Sequence, residues 1–368
     1  FDRWLPYPFQ NNIRHLPREA LYECLQGLHK LSGAGSRSAS NFREWIYSTF
    51  GEGIARHFMI PYNAKVWSTP LDIMSKDWIA ERVSVVDFER VLKNVILEQD
   101  DVSWGPNNKF KFPLHGGTGS IFRRAAKNFG GHLTCEQDLL WVDTETRTVT
   151  FRDGTTVAYD ALISTIPVDQ LVKKIKRKPD PVAAAAMQLV ANRGIVIGIG
   201  YDRPDDSNKN WMYFPEGKNP CYRVTYFSNY SPRNVPDITK NFSLMGEISY
   251  PRGTTMNENK AVENTIQGFI NTGLMTAEDR DRIKTVFTID LDYSYPVPTI
   301  GRDRALATIQ PYLENLGIYS RGRFGAWQYE IGNMDHSVMQ GIEVVDRILS
   351  EKRETVLDMQ QVLLKGAA

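Results

Sequence analysis

Ile318-Tyr-Ser-Arg-Gly-Arg-Phe-Gly325, continued by Ala326-Trp-Gln-Tyr-Glu-Ile-Gly-Asn-Met-Asp335, is the stretch that decides the fold. A short apolar strand, Ile318–Ser320, meets a glycine-rich turn, and the apolar spacing beyond it predicts a helix from Asp335 to about Leu349. A helix start offers unpaired backbone N–H groups and a partial positive charge. Such an end can receive a pyrophosphate or polarise a flavin ring. It can equally be a plain amphipathic helix with Asp335 as its N-cap. His115-Gly-Gly-Thr-Gly119 poses the same choice, since glycines allow close backbone approach but also make ordinary tight turns. It lacks the GxGxxG spacing and does not open a complete βαβ unit.

Outward from these two turns the pattern divides. Phe1 to Pro17 is aromatic, proline-rich and extended. Helices are expected over Pro17–Leu31, from Asn41 with a break near Gly51 and Gly53, over Ser75–Arg82, and over Asp87–Leu97. A further helix is expected to run from the His115–Gly119 turn through Phe129. Strands are expected at Leu139–Val142 and Thr148–Arg152, then a turn at Asp153-Gly154 and a strand at Ala161–Thr165. A second strand-rich block covers Gly194–Tyr250, with short strands near Trp211–Phe214, Arg223–Phe227 and Ser243–Tyr250. A helix at about 258–274 and a strand at 284–292 follow. This is an α/β chain with mixed α+β character and interleaved domains.

At 368 residues the chain can bury a large core and build two domains. A net charge of +1 leaves no electrostatic footprint for nucleic acid. No apolar run approaches the ~18–20 residues of a membrane span. The three cysteines, Cys24, Cys135 and Cys221, are far apart and odd in number. That argues against a disulfide framework and for a reducing, cytoplasmic compartment. The six histidines show no ligand spacing, so no protein metal site is expected. Nor is there a GxSxG elbow or an evident general-base pair, which suits chemistry belonging to a cofactor.

Aromatic residues recur beside polar ones. Tyr7, Phe9, Tyr62, Trp67, Trp211, Tyr213, Tyr222, Tyr295, Trp327 and Tyr329 stand near Gln10, Asn63, Asn107, Arg223, Arg323 and Asn333. An aromatic face can stack on a nucleobase and an amide can read its edge. Arginine forks and tyrosine hydroxyls suit a diphosphate. For any single aromatic, core packing serves as well; the recurrence of such clusters is what points to a ligand.

Several motifs occur together, in order, over nearly the whole chain: Tyr7-Pro-Phe-Gln-Asn-Asn12, Pro61-Tyr-Asn-Ala-Lys-Val-Trp67, Trp78-Ile-Ala-Glu-Arg82, Trp104-Gly-Pro-Asn107, Gly116-Gly-Thr-Gly119, Tyr222-Arg-Val-Thr-Tyr-Phe-Ser-Asn-Tyr-Ser-Pro232, Tyr295-Pro-Val-Pro298 and Gly322-Arg-Phe-Gly-Ala-Trp-Gln-Tyr-Glu-Ile-Gly-Asn333. In combination they resemble the eukaryotic-type UDP-galactopyranose mutases. The resemblance implies a Rossmann-like, amine-oxidase-like FAD fold with a helical domain and an antiparallel-sheet substrate domain. It divides the chain into a mainly helical, uridine-binding part (1–100), part of the FAD domain (101–180), the substrate sheet (181–300) and a C-terminal FAD strand–loop–helix (301–368).

The same resemblance implies site roles. Tyr7, Phe9, Gln10, Asn63 and Trp67 match positions around the uridine. Arg82 and Asn107 match two flaps, Arg82 and Arg223 the diphosphate arginines, and Tyr213, Tyr295 and Tyr329 their tyrosine partners. Asn333 matches a residue near sugar and flavin; with Arg82, Asn107 and Arg223 it completes the candidate catalytic set. Gly117, Thr118, Leu139, Arg323, Asn333, Met334, Asp335 and Ser337 fall where the family holds FAD. The implied reaction is a redox-neutral interconversion of UDP-galactopyranose and UDP-galactofuranose through attack of reduced flavin N5 on the anomeric carbon, with NADPH as electron donor. A UDP-sugar is the expected partner, with homo-oligomer formation open. A truncated nucleotide-sugar-binding pseudoenzyme and a flavin oxidoreductase of the amine-oxidase-like superfamily are the alternatives. The family's GxGxxG βαβ unit and a His-containing loop do not occur between Phe1 and Tyr7, so the first βαβ unit is expected to be missing and FAD to bind poorly to this chain alone.

Overall fold

Capping and apolar spacing account for the helical first third. In the computed structural model, which describes residues 1–33, 38–79, 83–102, 110–205 and 207–367, α1 (Arg18–Ser32) buries Ala20, Cys24, Gly27 and Leu28 on one face. α2 (Phe42–Ile54) begins where the Asn41 side chain accepts the Glu44 N–H. Glycines let α1 and α2 touch backbone to backbone: a Cβ on Gly53 would lie 2.4 Å from Cys24 N. Gly51, at φ +71°, kinks the path at the expected break. The chain then continues through a π-helical turn, Ala55–Met59, into α3 (Ile60–Trp67). α4 (Phe88–Ile96) is capped by the Asp87 carboxylate, which accepts from Arg90 N.

The helix expected over Ser75–Arg82 does not form in its described part. Residues 75–79 make a turn in which Ser75 Oγ accepts from Asp77 N, a local bond that competes with helix formation. α5 (Gly119–Ala126) stops short of the expected end at Phe129.

β1 (Leu139–Asp143), β2 (Thr148–Phe151) and β3 (Thr156–Ala158) form an antiparallel sheet in that order. The β2–β3 turn holds Gly154 at φ +89°, the left-handed geometry that Asp-Gly supplies. β3 itself was not anticipated. β4 (Leu162–Ser164), α6 (Val168–Lys174) and α7 (Asp180–Met187) come next.

β5 (Val190–Tyr201), β6 (Trp211–Tyr213), β7 (Arg223–Tyr226) and β8 (Phe242–Pro251) lead to α8 (Glu258–Asn271) and β9 (Ile283–Val297), the last longer than expected. These five strands form one sheet in the order β6-β7-β8-β5-β9. Ile195, Ile197, Ile199 and Tyr201 alternate into a core shared with Val224, Phe242, Leu244, Ile266 and Phe269. The chain ends with α9 (Arg302–Asn315), β10 (Ile318–Ser320), α10 (Gly322–Gly325), α11 (Met334–Ser350) and α12 (Met359–Ala367). β10 pairs in parallel with β4.

Two compact units result, each drawing on two stretches of chain. The first takes Phe1–Gly130 and Asn192–Ser294; the second takes Gly131–Ala191 and Tyr295–Ala368. Among the described residues no helix is long and apolar enough to cross a membrane.

Candidate functional site

In the first unit the candidate uridine residues meet the antiparallel sheet in a row of rings. Tyr7 lies 5.6 Å from Tyr213, Tyr213 5.4 Å from Tyr62, Tyr62 5.1 Å from Phe58, and Phe58 4.5 Å from Phe9, centroid to centroid. Phe58 was not foreseen; it lies on the π-helical turn. Tyr7 is the exposed end of the row. Gln10 is buried and donates to Ser84 O at 2.8 Å. Its neighbour Asn12 exchanges bonds with the Asp101 main chain, Nδ2 to O at 2.9 Å and Oδ1 from N at 2.8 Å.

Asn63 and Trp67 lie one turn apart on α3. Asn63 Nδ2 donates to Met59 O at 2.8 Å, and Trp67 Nε1 donates to Asn63 Oδ1 at 3.3 Å. Trp67 is 1% exposed and packs edge-on to Trp78. Its ring has no open face on which a base could stack, so what it offers the site is the orientation of Asn63.

Arg223 owes its place to strand register. It sits opposite Tyr213 on β6 and opposite Glu247 on β8. Its Nε and Nη2 both donate to the Glu247 carboxylate at 2.7 Å, and the Tyr222 hydroxyl donates to Glu247 Oε2 at 2.7 Å. A fork held on one edge by a bidentate carboxylate is fixed in direction. Arg223 is 31% exposed against 11% for Glu247, so the pair presents its cationic member outward. Glu247 escaped sequence reasoning; the available signal was a lone acid within the apolar run Phe242–Tyr250. Arg82 and Asn107 lie outside the described residues.

Gly117 and Thr118 precede α5. Gly116 and Gly117 have φ of +74° and +61°, and a Cβ on Gly117 would meet only Phe112 at 3.9 Å. The backbone there is open to close approach. Thr118 makes no side-chain cap bond to α5.

In the second unit, Tyr295, Arg323, Tyr329 and Asn333 come together. The Tyr295 and Tyr329 rings are 5.5 Å apart, and the Arg323 guanidinium lies 5.6 Å over Tyr295. The 329–333 segment is pinned three times. Arg323 Nε donates to Gly332 O at 2.8 Å, Gln340 Nε2 to Ile331 O at 3.0 Å, and Arg302 grips the Glu330 carboxylate with two 2.8 Å bonds. Gln340 also accepts from Gly322 N, tying α11 to the glycine turn. Asp335 is not the N-cap: Asn333 is extended at φ −70° and ψ 166°, and helical geometry starts at Met334. Asp335 stands instead in the first turn, where its charge suits the helix dipole. Ser337 N closes the first turn on Asn333 O at 2.9 Å. Leu139 opens β1, where its carbonyl accepts the Lys174 ammonium.

For a flavin dinucleotide these features fit. Within the second unit the α11 start offers N–H groups to an anion, and Arg323 offers a cation beside it.

The sequence model for flavin-containing amine oxidoreductases matches residues 19–347. A crystal structure of a reduced UDP-galactopyranose mutase superposes with a TM-score of 0.92 at 40% identity, covering 98% of this chain and 78% of that one. An Exiguobacterium protein, named as a protoporphyrinogen oxidase, reaches 0.63 at 14% identity over 90% and 73% of the two chains. A fatty acid isomerase from P. acnes reaches 0.56 at 11% over 95% and 78%. These last two share the fold alone. The chain belongs to the flavin-containing amine oxidoreductase family. Within that family it groups with the UDP-galactopyranose mutases, as its motifs implied.

Proposed function

We propose that this chain is a flavin-dependent isomerase that interconverts UDP-galactopyranose and UDP-galactofuranose without net redox change. The observation that carries this is Arg223: a direction-fixed cation, cross-strand from Tyr213 of the aromatic row, in a chain 40% identical to a UDP-galactopyranose mutase. Tyr7, Phe9, Gln10 and Asn63 hold the uridine, with Trp67 orienting Asn63. Tyr213 and Arg223 hold the diphosphate, joined by Tyr295, Tyr329, Arg82 and Asn107. Gly117, Thr118, Leu139, Arg323, Asn333, Met334, Asp335 and Ser337 hold FAD, and NADPH is the electron donor. Bound reduced flavin supplies a nucleophilic ring nitrogen for the anomeric carbon.

The residues of the chain do the rest. As the sugar–phosphate bond breaks, negative charge grows on the departing UDP. Arg223 offsets it without reorganising, because Glu247 has already set its direction. Asn333, at the N-cap of α11, hydrogen-bonds a sugar hydroxyl. The purified chain, given dithionite, UDP-galactofuranose and enough FAD to offset the poor binding expected without the GxGxxG unit, is expected to form UDP-galactopyranose in a chromatographic assay. UDP binding with flavin bound but no isomer formed would replace this reading with that of a nucleotide-sugar-binding protein. Formation of an oxidised product would replace it with that of an oxidoreductase.

A further inference from the structure

The connection from β6 to β7 carries Tyr213 at one end and Arg223 at the other. Lys65 reaches it from α3. Its Nζ lies 2.6 Å from Phe214 O, 3.1 Å from Glu216 O, 2.7 Å from Asn219 O and 2.8 Å from Cys221 O. Three protons face four main-chain carbonyls, so the ammonium sits as a cation would in a ring of carbonyl dipoles. Burial pushes its pKa down to about 8, opposed by Cys221 and Glu216, and at neutral pH it still carries its charge.

The connection is held by further bonds, among them Lys218 to Asp2 of the N-terminal segment and several within and behind it. Phe214 N donates to Tyr222 O at 3.1 Å, Cys221 N to Asn219 Oδ1 at 3.0 Å, and Asn219 Nδ2 to Thr272 Oγ1 at 3.3 Å. Gly268 of α8 permits that packing, since a Cβ there would fall 2.5 Å from Pro220 Cδ. These bonds shape the loop, but none of them ties it to α3. Removing the ammonium would leave four carbonyl oxygens facing one another with their attraction to α3 gone. On α3, Tyr62 and Asn63 lie within one turn of Lys65, and Tyr62 is the ring that meets Tyr213.

We propose that Lys65 is a positioning residue for the nucleotide-sugar site: by filling the carbonyl ring of residues 214–221 it fixes Tyr213 and Arg223 relative to Tyr62 and Asn63. This rests on the reading of Tyr213 and Arg223 as diphosphate ligands. An arginine would not substitute, because a planar fork cannot occupy a ring built around a compact ammonium.

The test uses the full chain with FAD. UDP titrations and steady-state kinetics compare wild type with Lys65→Met and Lys65→Arg. Both variants are expected to raise the UDP Kd and the KM for UDP-galactofuranose at least tenfold, with a smaller fall in kcat. Lys65→Ala is expected to lose affinity likewise and to regain it with added propylammonium, which a purely volumetric role would not allow. Hydrogen exchange at the Phe214 and Tyr222 amides, expected to quicken in Lys65→Met, reads the loop without any ligand. Should Lys65→Met not fold, Lys65→Gln, which keeps donors but no charge, takes its place. UDP affinity within twofold of wild type in the variants would overturn the positioning role alone. A wild type that binds no UDP would overturn the functional reading and this role with it.

Discussion

In the proposed function Arg223 has two tasks that pull in different directions: it pairs with Glu247 and it receives a diphosphate. The pair resolves the conflict by geometry, since Glu247 takes the Nε edge of the fork. Arg223→Ala is therefore expected to weaken UDP binding by about 2–3 kcal/mol, the scale of a charge-assisted bond, and nearly abolish turnover. Isothermal titration with UDP checks the first and the isomer assay the second; unchanged values would remove Arg223 from the site. Glu247→Gln keeps the shape but not the charge. It is expected to lower the unfolding free energy by about 1–3 kcal/mol, because the amide keeps one acceptor oxygen but turns its NH2, a donor, toward the donors of Arg223 or Tyr222. Trp67 separates two readings more sharply. If its role is packing, Trp67→Ala costs about 3–5 kcal/mol of stability along with UDP affinity. If it stacked on uracil, affinity would fall while the melting temperature held. Trp67 is legible as important from its motif, but its burial is a tertiary fact that no local pattern carries. Glu247 was missed for a related reason: a lone acid in an apolar run is a local signal, but its partner lies on another strand, and cross-strand register is not written in either segment alone.

Elements were legible where their signals are local. Asp87 before the apolar spacing of α4, and the Asp-Gly turn that ends β2, each announce themselves. α9 did not, because Pro311 sits inside it and reads as a breaker; the buried face of Leu306, Ile309 and Leu313 overrides that. β3 is three exposed residues with no alternation to detect. The turn at 75–79 misled because Trp78 and Ile79 are buried, and burial mimics a helical stripe. The α1–α2 contact was legible only as a break. What the glycines do there is allow approach, and that can be tested. Gly53→Ala would place a Cβ 2.4 Å from Cys24 N, against backbone that cannot rotate away. The helices have to separate, at a cost of about 1–3 kcal/mol, which a calorimetric melting scan would register. Gly33→Ala, where nothing lies within 4 Å, is the control and is expected to change little.

At the scale of the molecule, interleaving was legible from the order of helices, strands and glycine turns, but the division into units was not. It depends on β10 reaching back to β4 and on Asn192–Ser294 joining the first unit, pairings far apart in sequence. The division also places the thiols usefully. Cys24 and Cys221 are buried in the first unit, and burial pushes both up to about 12, while Cys135 is exposed in the second. A thiol whose folded pKa is raised binds its proton when the unfolded chain has released it. Its contribution is whole below pH ~9 and is lost as pH rises toward 12, at up to ~1.4 kcal/mol per pH unit for each thiol. Lys65 acts oppositely, because its folded pKa is lowered to about 8: it adds stability from pH ~8 to ~10.4 and nothing further above that. The two thiols outweigh one lysine, so stability to urea is expected to weaken from pH ~9 to ~10.5 and to weaken faster beyond. The Cys24→Ala, Cys221→Ala double variant starts less stable, yet its thiol-dependent decline should vanish. A slope identical to that of wild type would mean that neither thiol is held protonated by the fold.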